Sequence, residues 1–220
     1  IDGEGKRVAD DKLQAVRALG VPADTKQLRS ILGTLNYLRE VVPGFSTLAA
    51  PLTHLLGAGV AWEFGDRERA ALASIKTAIL KGTKLAHADF DKPFNVATDA
   101  SNIGCGGYLF QHRDDGSEAY ISFASVRFTS TQSRWSTYEQ EGYGVVFAIT
   151  KAFRPFLEYS RVPFNVFTDH RNLLWMFRSD NPRVMRWCVE LSPFRYVIHH
   201  IDGVANILPD GFSRAPSCFT

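Results

Sequence analysis

Cysteine is scarce in this chain: Cys105, Cys188 and Cys218 are the three in 220 residues. They are widely spaced and form no CxxC pair, which argues against a disulfide framework or a zinc site and favours a reducing intracellular compartment. No apolar run approaches the roughly 18 residues of a membrane-spanning helix, so we expect no membrane span. The stretch 1–11, IDGEGKRVADD, has no apolar core and is not a signal peptide. It also lacks an initiator Met, which suggests a processed product or a piece of a longer protein.

A surplus of charge of one sign is also absent. Lys and Arg total 25 against 23 Asp and Glu, for a net charge of +2. Affinity for a polyanion would therefore depend on local patches rather than on overall charge. Hydrophobic residues make up 45% of the chain and aromatic residues 12%, which is ample for a packed core and excludes a disordered chain. The length is that of one large domain or two small ones.

Helical spacing dominates the N-terminal part of the chain. Asp24 is a good N-cap, with Gln27 three residues later, for a helix that Pro43 and Gly44 would end. Its apolar positions recur on one face: Leu28, Ile31, Leu32, Leu35 and Leu38. Further helices are predicted over 13–19, around 50–56 and from Asp66 onward. This small helical unit shows no chemistry by its spacing alone.

From Phe94 the apolar period changes to two, which predicts strands. The predicted elements alternate along the chain as three strands, a long helix over 136–158, a strand, two short helices, a fifth strand and a last helix. The predicted strands lie at 94–99, 106–111, 119–125, 164–169 and 194–200. The helices after the long one are predicted at 172–177, 183–191 and 205–214. The expected fold class is α/β, with a mixed five-stranded sheet and flanking helices.

Two of these strands have nearly the same sequence, PFNVATDAS at 93–101 and PFNVFTDHR at 163–171. Both end on an aspartate, Asp99 and Asp169. The connection between them is long enough for a parallel crossover, which would place the second strand beside the first. Both aspartates would then project from neighbouring strands at the same end of the sheet.

Four carboxylates are the candidate catalytic and metal-ligating residues: Asp99, Glu141, Asp169 and Asp210. Any one of them, taken alone, would more commonly be a cap or a solvated charge. Gathered together they would repel, since two unit charges 4 Å apart repel by about 4 kcal/mol at an effective dielectric of 20. Hard oxygen ligands suit Mg²⁺ or Mn²⁺, and two such ions support in-line attack on a phosphodiester.

Glu139 and Glu141 lie two residues apart on the long helix and therefore point to different sides. Ser136 is the predicted N-cap, and Glu139, three residues later, completes a capping box. Glu141 lies on the face that carries small apolar residues, so we predict that Glu141 faces the sheet.

Four stretches, in this order, resemble the ribonuclease H domain of gypsy-type long-terminal-repeat retrotransposons: ATDAS, YEQEGYGVVFAI, FTDHRNLLW and ANILPDGFSR. The helical half, from LRSILGTLNYL at residue 28 to AWEF at 61–64, resembles the thumb and connection that precede this domain in the reverse transcriptase. The resemblance implies two parts: a thumb- and connection-like segment over 1–89 and a ribonuclease H-like domain over 90–220.

The resemblance also implies an activity, the hydrolysis of the RNA strand of an RNA–DNA hybrid. In that family the four acids hold two Mg²⁺ ions, for which Mn²⁺ can substitute, and they correspond here to Asp99, Glu141, Asp169 and Asp210. A histidine on a loop before the last acid often takes part, and His200 occupies that place; a surface position at a strand end, beside His199, fits it equally well. Polymerase activity is not expected, because fingers and palm are missing. The remainder of the reverse transcriptase, or another large assembly, is the expected partner, in a cytoplasmic particle or the nucleus.

Arginines and aromatic residues alternate after the second strand copy: Arg171, Trp175, Phe177, Arg178, Arg183, Arg186, Trp187 and Arg195. The arginines either contact phosphates or form a solvated face, while Trp175 and Trp187 fit a helical core. Two other functions stay open. One is a recruited, catalytically silent structural component of a larger assembly, and the other is a module that binds the hybrid for a separate polymerase chain.

Overall fold

A computed structural model describes residues 5–82 and 84–201 of the chain, apart from the side chains at 174, 175 and 177. Five strands form one mixed sheet: Asn95–Ala100 (β1), Gly104–His112 (β2), Glu118–Arg127 (β3), Phe164–Thr168 (β4) and Tyr196–His200 (β5). Their order in the sheet is β3-β2-β1-β4-β5. The meander of β1, β2 and β3 is antiparallel, whereas β4 is parallel to both β1 and β5. This is the α/β sheet that the sequence predicts.

Eight α-helices flank the sheet within the described residues. They are α1 (Asp10–Ala18), α2 (Thr25–Tyr37), α3 (Phe45–Leu48), α4 (Ala50–His54), α5 (Asp66–Lys81), α6 (Thr137–Phe147), α7 (Arg154–Leu157) and α8 (Pro182–Leu191). None of the helices in the described part of the chain combines the length and the apolar character needed to cross a bilayer. The predicted helix at 205–214 lies outside the described residues.

The start of α2 confirms the predicted cap, but its end does not match the prediction. Asp24 accepts a hydrogen bond from the backbone N–H of Gln27 at 2.7 Å, and Gln27 Oε1 accepts one from the N–H of Ala23 at 2.9 Å. The helix ends at Tyr37, several residues before Pro43, and a 3₁₀ turn over Arg39–Val41 follows. The tighter turn accompanies the burial of Val41 and Val42 in the core.

The long helix predicted over 136–158 is interrupted. After α6 the chain forms a π-helical turn over Ala148–Ala152, and a separate short helix, α7, follows. Pro155 explains the break, because proline has no N–H to donate and its ring clashes with the preceding turn. The predicted short helix at 172–177 is a 3₁₀ segment, Arg171–Arg178.

The sheet is covered on both faces. On one face, residues of α6, α8 and the π-helical turn pack against Val96, Leu109 and Val166. On the other face, α2, α4 and α5 form a second core, in which Leu28, Leu35 and Ile75 are fully buried. This core is continuous with side chains of the sheet, namely Ala97, Tyr108, Phe110 and Phe123. Each such side chain stabilises the fold by about 1.5–3 kcal/mol.

The N-terminal helices are also attached to the sheet by polar contacts. The backbone N–H of Ser46 donates to Oγ of Ser125 on β3 at 2.9 Å, and the N–H of Ala86 donates to the carbonyl of Tyr120 at 2.6 Å. The helical segment therefore rests directly on the sheet that carries the candidate site. The division of the chain at residue 89 stays a prediction.

Candidate metal and active site

The two similar strands pair with each other in parallel, and their matching residues are in register. Asn95 lies beside Asn165, and Ala97 lies beside Phe167. Parallel strands in register place equivalent residues at the same height, so the aspartates that end the two copies leave the sheet at the same edge. Asp99 is the fifth residue of β1, and Asp169 directly follows β4.

Helix α6 brings Glu141 to this edge. Ser136 Oγ accepts a hydrogen bond from the N–H of Glu139 at 3.3 Å, and Glu139 Oε2 accepts one from the N–H of Ser136 at 3.1 Å, which is the predicted capping box. Glu141, two residues later, reaches β1, where its Oε1 accepts a hydrogen bond from the N–H of Ala100 at 3.2 Å. Only 4% of Glu141 is exposed. The predicted separation of the two glutamates is therefore confirmed.

The three carboxylates of Asp99, Glu141 and Asp169, hereafter the acidic cluster, converge. One oxygen from each lies within 4.8 Å of the other two. Asp99 and Glu141 are buried and Asp169 is half-buried. Asp210 lies outside the described residues.

Burial and mutual repulsion set the electrostatics of the acidic cluster. Burial, followed by the charges of Asp99 and Asp169, raises the pKa of Glu141 to about 9, and the hydrogen bond from Ala100 opposes this increase. The neighbouring Cys105 thiol is buried, and both burial and the charges of Glu141 and Asp99 raise its pKa, so it stays neutral. The site therefore presents carboxylate oxygens and no thiolate.

These residues fit a divalent cation. The donors are hard oxygens, the type that Mg²⁺ and Mn²⁺ prefer. Oε2 of Glu141 is buried and has no hydrogen-bond partner in the described part of the chain, so this carboxylate oxygen is left without a protein donor. A cation among the three would remove both the repulsion and the unmet hydrogen-bonding capacity.

Comparison with known proteins agrees with this geometry. A family model described as an RNase H-like domain found in reverse transcriptase matches residues 89–194. Residues 89–194 form an RNase H-like domain of this type.

The similarity to retrotransposon sequences extends over nearly the whole chain. The Transposon Tf2-3 polyprotein of Schizosaccharomyces pombe is 31% identical over 218 residues, which is 97% of this chain and 16% of that polyprotein. The Tf2-4 polyprotein of the same yeast matches with the same identity and coverage. The chain thus spans 16% of the length of these curated relatives.

Solved structures share the fold. A foamy viral protease-reverse transcriptase in complex with RNA/DNA hybrid superposes with a TM-score of 0.76 at 22% identity, over 100% of this chain and 30% of that one. A second foamy viral protease-reverse transcriptase structure, in complex with double-stranded DNA, gives a TM-score of 0.73 at 23% identity, over 90% and 35%. The superposition with the first of these structures extends over the whole chain, so the segment before the RNase H-like domain shares the fold of that structure as well.

His200 lies at the edge of the acidic cluster of the RNase H-like domain. It pairs with Thr168 across β4 and β5, and its Nε2 is 3.0 Å from the carbonyl oxygen of Asp169. A carbonyl only accepts, so Nε2 carries the hydrogen and, in the neutral ring, Nδ1 is the basic nitrogen. His199 instead contacts Asn165 Oδ1 at 2.9 Å. Of the two histidines, His200 contacts the backbone of a cluster residue.

The arginine-rich segment of the RNase H-like domain divides into two groups. Trp187 is buried, as its helical position predicts, and Arg183 is bound to Glu139 of α6. The other arginines of the set are exposed: Arg171, Arg178, Arg186 and Arg195. The side chains of Trp175 and Phe177 lie outside what the structure describes. Arg183 is therefore engaged within the protein rather than presented to solvent.

Two features of the site are absent from the sequence-based prediction. One is the N–H of Ala100, which binds Glu141; backbone donors leave no trace in residue type. The other is the contact between Arg183 and Glu139, which lie 44 positions apart. Because the capping box with Ser136 already accounts for Glu139, the sequence does not indicate that Glu139 also has a partner on another helix.

Proposed function

We propose that this chain hydrolyses the RNA strand of RNA–DNA hybrids by metal-assisted phosphodiester cleavage, as the ribonuclease H part of a retrotransposon reverse transcriptase. The observation that carries the proposal is the convergence of the carboxylates of Asp99, Glu141 and Asp169 within 4.8 Å. Such a grouping is unfavourable for folding without a cation. The membership of residues 89–194 in the RNase H-like family supports this reading.

Asp99, Glu141 and Asp169 would hold the divalent ions, with Asp210 as the fourth proposed ligand. When bound, two ions of this kind stabilise the attacking and leaving oxygens of a phosphodiester. Asp99 and Asp169 are fixed by the sheet and Glu141 by the N–H of Ala100, so the ligands need little reorganisation.

We assign a proton-transfer role to His200. Its Nε2 is held by the carbonyl of Asp169, which leaves Nδ1 to accept a proton and return it. The alternative, a histidine that only fastens β5 to the end of β4, predicts a loss of stability on substitution without a changed dependence of the rate on pH.

The proposed substrate is an RNA–DNA hybrid, and the proposed partner is the rest of the reverse transcriptase. One foamy viral relative in fold is described in complex with RNA/DNA hybrid, and the Tf2 relatives are polyproteins much longer than this chain. Recognition of a hybrid rests on groove shape and 2′-hydroxyl contacts rather than on base sequence.

The deciding experiment is a cleavage assay on a hybrid with a labelled RNA strand, in Mg²⁺ or Mn²⁺. Wild type is expected to cleave the RNA strand, and Asp99→Asn and Asp169→Asn are expected to lose more than about 100-fold in rate, since even residues that only support a ligand account for 10–100-fold. Asp114→Asn is the matched control, because its side chain is 99% exposed.

Cleavage that survives Asp99→Asn would contradict the site assignment. A folded wild-type chain that binds the hybrid but cleaves nothing in either metal would favour the non-catalytic, binding role instead. Since an electrostatic contact to phosphates weakens with salt, affinity for the hybrid is expected to fall steeply between low and moderate salt.

A further inference from the structure

Glu139 has more partners than a helix cap requires. Its Oε2 accepts hydrogen bonds from the N–H and the hydroxyl of Ser136, at 3.1 and 3.0 Å. Its Oε1 accepts one from Nδ2 of Asn181 at 3.1 Å and one from the Arg183 guanidinium. Asn181 is the N-cap of α8, and Arg183 lies in its first turn. A single carboxylate therefore joins the first turn of α6 to the first turn of α8.

The contact is enclosed rather than solvated. The side chain of Glu139 is 14% exposed and that of Arg183 is 32% exposed. The guanidinium lies over the ring of Trp135, 4.2 Å from its centroid, which is favourable cation–π geometry. The pair is therefore partly desolvated and held by charge-assisted hydrogen bonds, the setting in which an ion pair fixes geometry.

Aromatic packing holds the same two helices together beside the ion pair. Trp135 lies 5.7 Å, between ring centroids, from both Tyr143 of α6 and Trp187 of α8. A Cβ on Gly142 would lie 3.2 Å from the Trp187 ring, so the two helices meet with no space to spare. Gly142 directly follows Glu141. The contact between α6 and α8 is thus adjacent to the metal-binding glutamate.

Repulsion within the acidic cluster is the reason that α6 needs its contact with α8. Glu141 lies against Asp99 and Asp169, and in its ionised form, the form that binds a cation, it is repelled by both. Within the described part of the chain, the N–H of Ala100 is the one protein donor that holds Glu141. A second attachment of α6 would keep Glu141 in place when it gives up its proton and before a cation is bound.

We propose that Glu139, Arg183 and Asn181 form a clamp between α6 and α8 that positions Glu141 against Asp99 and Asp169. The three are positioning residues: they touch neither the reacting atoms nor the ions, and they act through the helix that carries Glu141. The role in catalysis rests on the proposed nuclease function, whereas the placement of Glu141 does not. The test must therefore read the two separately.

The N–H of Ala100 reports the placement of Glu141 without metal or substrate. Its hydrogen exchange, followed by NMR in the metal-free 220-residue chain, is expected to accelerate about tenfold in Arg183→Met, because exchange follows local opening. The other amides of the β1–β2 ladder should keep their wild-type rates, which distinguishes a local release at Ala100 from global destabilisation. Arg154→Ala is the matched control, since Arg154 of α7 forms an exposed ion pair with Glu158, the residue that follows this helix.

Glu139→Gln is the second variant, because glutamine also completes a capping box and keeps the helix start intact. It removes only the charge that Arg183 meets. Both variants are expected to raise the Kd for Mn²⁺ about tenfold, the range found for residues that orient metal ligands. Where the wild type cleaves hybrid, kcat should fall by a similar factor while KM stays within about twofold. Arg183→Lys, which keeps the charge, should recover part of each loss.

The outcomes separate the two proposals. If the wild type neither binds Mn²⁺ nor cleaves, but Ala100 loses protection in Arg183→Met or Glu139→Gln, the nuclease function fails and the clamp stands. If Ala100 exchange stays at the wild-type rate in these variants while they remain folded, the clamp is wrong, whatever the wild type cleaves. Should Arg183→Met fail to fold, Glu139→Gln decides between the same two results.

Discussion

Asn165 on β4 donates a hydrogen bond from Nδ2 to Oδ1 of Asn95 on β1, at 3.0 Å. The two residues occupy the same place in the two similar strands, 70 positions apart. Their contact therefore marks the register that carries Asp99 and Asp169 to the same edge of the sheet. A slip of one residue would send each side chain to the opposite face and separate the aspartates. The repeated sequence and the acidic cluster have the same structural cause.

Removal of the hydrogen bond between Asn165 and Asn95 should lower the stability of the fold. Asn165 also accepts a hydrogen bond from Nε2 of His199 at 2.9 Å, and Asn95 is 3% exposed. Asn165→Ala leaves both partners unsatisfied, so the free energy of unfolding should fall by about 1–3 kcal/mol. Urea unfolding measures it. Asn36→Ala, at an exposed position, should stay within about 0.5 kcal/mol; equal losses for the two variants would show that the contact does not fix the register.

The raised pKa of Glu141 should make the free energy of unfolding depend on pH. Folding raises its pKa from 4.5 to about 9, so the metal-free chain loses stability as pH rises between these two values. Glu141→Gln cannot ionise and escapes that loss. At pH 8, about 3.5 units above the unfolded pKa, we expect Glu141→Gln to be more stable than wild type by on the order of 5 kcal/mol, since each pKa unit corresponds to about 1.4 kcal/mol.

Thermal unfolding at several pH values, in the presence of a chelator, checks this expectation. The difference in Tm between Glu141→Gln and wild type should widen from pH 5 to pH 8. Mn²⁺ should then raise the Tm of wild type more than that of the variant. Parallel curves for the two proteins across this range would contradict the strained placement of Glu141.

Metal affinity should depend on pH for the same reason. A cation needs the ionised carboxylate, so binding releases the proton that Glu141 holds below about pH 9. Between pH 6 and pH 8 the affinity for Mn²⁺ is expected to rise about tenfold per pH unit for a single released proton. Calorimetry in two buffers that differ in ionisation enthalpy counts the proton directly. Glu141→Gln should release no proton on binding Mn²⁺. If the affinity of the wild type for Mn²⁺ were independent of pH, Glu141 would already be ionised before the cation binds.

The sheet was predictable from the sequence because its signals are local. Alternating apolar residues mark the strands, and the repeated strand sequence, joined by a crossover of sufficient length, indicates that β4 pairs with β1. Asp99, Glu141 and Asp169 followed from that pairing together with the resemblance to a known family. Asp210 lies outside the described residues, and its place in the site stays a prediction.

The errors concern places where distant contacts override local pattern. The apolar spacing of 136–158 continues across Pro155, yet a π-helical turn and a break interrupt the helix there. Helix α2 ends early as Val41 and Val42 turn into the core. The sequence indicates a possible phosphate contact for Arg183, because its partner, Glu139, already has a local role as a helix cap. Sequence spacing shows one face of a helix but not which residue from another helix will meet it.

The same substitution at two helical glycines should have opposite effects. Among the described residues, no atom other than the backbone of its own helix lies within 4 Å of where a Cβ on Gly33 of α2 would be, so Gly33→Ala should stabilise the chain by about 1 kcal/mol through helix propensity. A Cβ on Gly142 would press against Trp187 at 3.2 Å and Leu173 at 3.5 Å. Trp187 is itself packed between Trp135 and Tyr143, so it cannot move aside without disturbing that cluster.

Gly142→Ala is therefore expected to lose about 1–3 kcal/mol to overpacking, which exceeds the gain in propensity. It should also weaken Mn²⁺ binding, because the displacement of α6 from α8 begins at the residue next to Glu141. Urea unfolding and metal titration of both variants test this expectation. A stabilised Gly142→Ala with unchanged metal affinity would mean that α6 and α8 have room to separate, and that their close contact does not hold Glu141 in the acidic cluster.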